Sequence, residues 1–78
     1  MPTWRYRVNI KQYLYLAKPL GEIEKEIAEE LHKAEPFRTK EGRTLIFWLL
    51  AADTVEKFDE ELEKIYAFAD DHEVWLGP

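Results

Sequence analysis

The chain contains no cysteine and no serine. The first absence excludes disulfides, thiolate metal sites and cysteine nucleophiles. The second removes every serine-based hydrolase scheme. Side-chain amides are almost missing, with Asn9 and Gln12 the only two beside plentiful Glu and Lys. That balance leans toward heat-stable proteins. No apolar run approaches the roughly 20 residues of a membrane span. The first residues, 1–7, lack the apolar core of a signal peptide, so a cytoplasmic protein is expected.

What is present is one domain's worth of chain, 78 residues with a net charge of −5. A domain of this size buries only about 60% of its unfolded surface, and self-association is a common remedy. The longest apolar run, residues 44–52, has apolar residues at both parities: Leu45, Phe47 and Leu49 alternate with Ile46, Trp48 and Leu50. Such a run reads as a strand covered on both faces. It is short for a helix and is punctuated by Gly42 before and Asp53-Thr54 after, so it is taken as the central strand of a small sheet.

Before it, Trp4, Tyr6, Val8 and Ile10 alternate with Arg5, Arg7, Asn9 and Lys11, the period of a first strand with one apolar and one basic face. Leu20, Ile23, Ile27, Ala28, Leu31 and Ala34 share a helical stripe over residues 20–34. Glu22 and Glu24 sit at its positive end, and His32 and Lys33 at its negative end. Glu29 and Lys33 have the spacing of an i,i+4 pair, and Pro36 ends the helix. Residues 37–39 read as a short strand, and Lys40-Glu41-Gly42 as a hairpin loop with Gly42 in the left-handed position. Asp53 with Glu56 resembles a capping box. It opens a second helix, striped by Val55, Phe58, Leu62, Ile65, Tyr66 and Ala69. Residues 73–76 form a last strand.

Strand, helix, strand, strand, helix, strand is the α+β ferredoxin-like plan, βαββαβ, an antiparallel sheet with two helices packed on one face. The alternative omits the strand at 37–39 and leaves βαβαβ with a three-stranded sheet.

Charge is polarised. Residues 20–34 carry −3 and residues 53–71 carry −6, while the remainder carries +4. A sheet open on one side would join Arg5, Arg7 and Lys11 to either Phe47 or Trp48, according to the register of the central strand. Contiguous exposed apolar surface of that kind marks interaction sites. The expected function is a non-enzymatic binding or assembly module. Arg5, Arg7, Lys11, Phe47 and Trp48 form its surface, and the partner is a second copy in a homodimer or another protein.

Two alternatives compete. Single-stranded RNA could stack on aromatics of the two central strands, with Arg38, Lys40 and Arg43 nearby. However, the chain is acidic and lacks the signature motif of RNA-recognition domains. A small-molecule-sensing regulatory domain is the other. The cluster Asp70, Asp71, His72 and Glu73 lacks the spacing of a metal site, so neither a metal nor a cofactor is expected, and no catalytic residue is assigned.

Overall fold

The computed structural model describes residues 4–77, and it is mainly helical. Strand β1 (Tyr6–Arg7) leads into a single turn, α1 (Lys11–Leu14). Helix α2 (Leu20–Leu31) is followed by a 3-10 turn (Glu35–Arg38), α3 (Lys40–Ala51), α4 (Val55–Asp71) and β2 (Val74–Trp75). The two strands pair in parallel, Tyr6 with Val74 and Arg7 with Trp75, and among the described residues they make the whole sheet. Among the described residues no helix is long and apolar enough to cross a membrane.

This overturns both the ferredoxin-like plan and its three-stranded alternative. The decisive difference is residues 44–52, which are helix and not central strand. One contribution lies just upstream. Thr39, extended at φ −74° and ψ 168°, caps α3: its hydroxyl accepts from the Gly42 amide at 3.3 Å and donates to the Pro36 carbonyl at 2.7 Å. The expected strand at 37–39 is therefore a 3-10 turn running into a cap. The expected hairpin loop, Lys40-Glu41-Gly42, is the first turn of α3, and Gly42 has no positive φ.

Once helical, the apolar run has two unlike sides. Gly42, Ile46 and Leu49, at spacings of four and three, are buried, whereas Phe47, Trp48 and Leu50 are exposed. A run almost without polar residues carries no period of its own; the cap and the burial of Gly42, Ile46 and Leu49 against the core both favour the helix.

The other two long helices occupy nearly their expected ranges. Helix α2 buries Ile27, Ala28 and Leu31, and it stops before the point at which Pro36 would end it. Lys33 pairs with Glu30 at 2.6 Å and not with Glu29. Helix α4 buries Phe58, Leu62, Ile65, Phe68 and Ala69, a 3.6-residue stripe. Its cap is Thr54, which accepts from the Lys57 amide at 3.2 Å, one residue beyond the expected Asp53. These faces converge on one apolar cluster, where Phe37 meets Phe68 with ring centres 5.0 Å apart. Helix α3 packs on α2, on the 3-10 turn and on α4, and β2 packs on α4.

Candidate functional site

The surface that stands out is the outward side of α3. At about 100° per residue, the line opposite Ile46 and Leu49 runs through Lys40, Thr44, Phe47 and Ala51. Arg43 and Leu50 flank it on one edge, Glu41 and Trp48 on the other. Phe47 is 63% exposed and Trp48 55% exposed, and their rings meet edge to face at 5.6 Å and 78°. Leu50 is also exposed, as is Val55 just beyond the helix. An edge-to-face pair is a favourable aromatic geometry, so the two rings brace one another while both remain in solvent.

Charge is arranged along the same face. Lys40 and Arg43 project from the N-terminal half of α3, and neither is held in an ion pair among the described residues. The corner between α3 and α4 is acidic, with Asp53, Glu56, Asp59 and Glu60 exposed. Only a long contact from Lys57 to Asp53, at 3.4 Å between two largely exposed side chains, offsets it. Trp48 and Ala51 share a shallow groove with Lys57 and Glu60, which places the start of α4 beside the end of α3.

Of the expected site residues, Phe47 and Trp48 are brought together at the surface. The anticipated choice between them disappears, because neighbours on a helix do not point to opposite sides. Arg5 and Arg7 lie exposed at β1, and Lys11 opens α1 beside a groove against Trp75 and the end of α4. They sit on elements separate from α3, so the joined basic and aromatic sheet face does not form. The two-strand platform required for base stacking is likewise missing, as each strand has two residues.

A second groove, about 880 Å³, lies between the start of α3 and the end of α4 and includes Thr39, Leu45, Phe68 and His72. The His72 ring stacks on Phe68 at 4.0 Å and its Nδ1 lies 2.9 Å from the Phe68 carbonyl oxygen. The imidazole is thus used in finishing α4. Among the described residues no three His, Asp or Glu side chains converge as metal ligands.

Sequence reasoning missed Glu24. It is 3% exposed, and one carboxylate oxygen has no hydrogen-bond partner. Burial pushes its pKa up, and the negative charge of Asp53 adds to the shift. The signal was available: Leu20, Glu24, Ile27 and Leu31 share one helical face, so Glu24 stands inside the apolar stripe.

No family model matches the chain, and no curated protein or solved structure resembles it significantly.

Proposed function

We propose that the protein is a non-enzymatic assembly module that associates with a second copy of itself through the outward face of α3. The observation that carries this reading is the adjacent pair Phe47 and Trp48, each more than half exposed on a well-capped helix. Exposed aromatics clustered with aliphatic residues mark association surfaces, and buried aromatics supply much of the energy of protein interfaces. A chain this short also gains from burying such a patch between copies.

The test is solution mass by light scattering across a concentration series. The expected result is a mass rising above the 9.3 kDa of one chain. The Phe47→Asp/Trp48→Asp variant should stay at monomer mass with unchanged helical circular dichroism. A wild-type protein that remains monomeric up to about millimolar concentration, where only very weak affinities escape detection, overturns the reading.

A further inference from the structure

Resting on self-association through α3, we infer that the two copies pack α3 against α3 antiparallel across a twofold axis, with Arg43 of each copy seated at Asp53 of the other. Two independent features of the face lead there.

The first is its shape. Thr44, Phe47, Trp48 and Ala51 are spaced three, one and three apart, so the set reads the same in both directions. A twofold axis between Phe47 and Trp48 places the aromatic pair of one copy on that of the other. It also places small Thr44 opposite small Ala51 on either side, where the backbones can approach. Twofold interfaces are self-complementary in this way.

The second is charge. Arg38, Lys40 and Arg43 stand at the start of α3 with Glu41 the only acid among them, and Asp53, Glu56 and Glu60 stand at its end with Lys57 the only base. An antiparallel pair sets each basic end on an acidic end. A parallel pair would set like on like, which disfavours that arrangement at an interface. Under the same axis, Arg43 falls level with Ala52 and Asp53. The carboxylate of Asp53 is 76% exposed and only loosely held by Lys57, so it is free to accept the guanidinium.

The chain has no cysteine, which makes directed cross-linking clean. Thr44→Cys and Ala51→Cys variants, mixed and oxidised, should yield the disulfide between 44 and 51 in preference to either like pair. Arg43→Glu and Asp53→Arg should each weaken the dimer by about tenfold or more, and the combined variant should recover most of the affinity. Like-pair disulfides with wild-type-like dimers in both charge variants would overturn the antiparallel arrangement and leave self-association standing. Dimers that form no disulfide from these positions would overturn α3 as the interface. A monomer at every concentration would overturn both.

Discussion

Gly42 lies directly on the backbone of Phe37: a Cβ added at Gly42 would stand 2.4 Å from the Phe37 Cα and 2.4 Å from the Pro36 carbonyl oxygen. The close approach lets the first turn of α3 sit on the 3-10 turn and brings Thr39 within reach of its cap. Gly42→Ala therefore meets main chain that cannot rotate away. Alanine's helix preference over glycine is about 1 kcal/mol, while forced overpacking costs about 1–3 kcal/mol and occasionally more. We expect a net loss of about 2 kcal/mol, seen as a thermal midpoint about 10 °C lower. A rise in the midpoint would show that the turn gives way easily.

Neighbouring residues of α3 should respond in opposite ways. Leu49 is fully buried, and Leu49→Ala should cost the monomer about 2–5 kcal/mol in urea unfolding. Trp48→Ala, on the outward face, should change monomer stability by less than about 1 kcal/mol. Dilute protein is needed so that association does not contribute to either value. Equal losses at the two positions would mean that Trp48 belongs to the core.

Burial and the charge of Asp53 hold the Glu24 pKa above its ordinary 4.5. A carboxyl with a higher pKa folded than unfolded favours the folded state when protonated. Its stabilising share is complete below the unfolded value and is lost as pH rises through the folded value. Glu24→Gln should thus be more stable than wild type at pH 7. The gap should narrow as the pH falls toward 4.5. Thermal unfolding at pH 5 and pH 7 reads this directly, and a gap independent of pH would place the Glu24 carboxylate in water.

Glu73 has a left-handed backbone, φ 57°, and its carbonyl accepts from the amides of Arg5 at 3.0 Å and Tyr6 at 3.2 Å. The conformation costs an L-residue about 1–2 kcal/mol, and glycine's greater freedom when unfolded returns about 0.5–1 kcal/mol of that. Glu73→Gly should stabilise the protein by about 0.5–1 kcal/mol in denaturant titration. A loss of stability would show that the side chain itself contributes.

Helices α2 and α4 were legible in the sequence because charged residues interrupt their apolar stripes at a helical period. Helix α3 was not. From Leu45 to Ala52 nothing polar intervenes, so strand and helix patterns fit equally well. The evidence that separates them is the Pro36-Thr39-Gly42 cap, which reads as readily as a turn. The proposed surface was only partly legible for the same reason. The apolar run pointed to either Phe47 or Trp48 as the outward aromatic, but whether both face outward, and which cations accompany them, depends on the fold. The fold supplies Lys40 and Arg43 in place of Arg5, Arg7 and Lys11.

The pairing of Tyr6 with Val74 also bears on the order of folding. Helices α2, α3 and α4 follow one another closely in sequence and can dock soon after each forms. The strand pair must first close a loop containing almost the whole described chain, and long closures are slow and entropically costly. The clasp should form last. Val8, Ile10, Val74 and Leu76 lie in the same apolar cluster as the helices, so opening the strands uncovers the core. The Val8 amide, bonded to the Trp75 carbonyl at 2.9 Å, then exchanges its hydrogen only as the helical core opens with it.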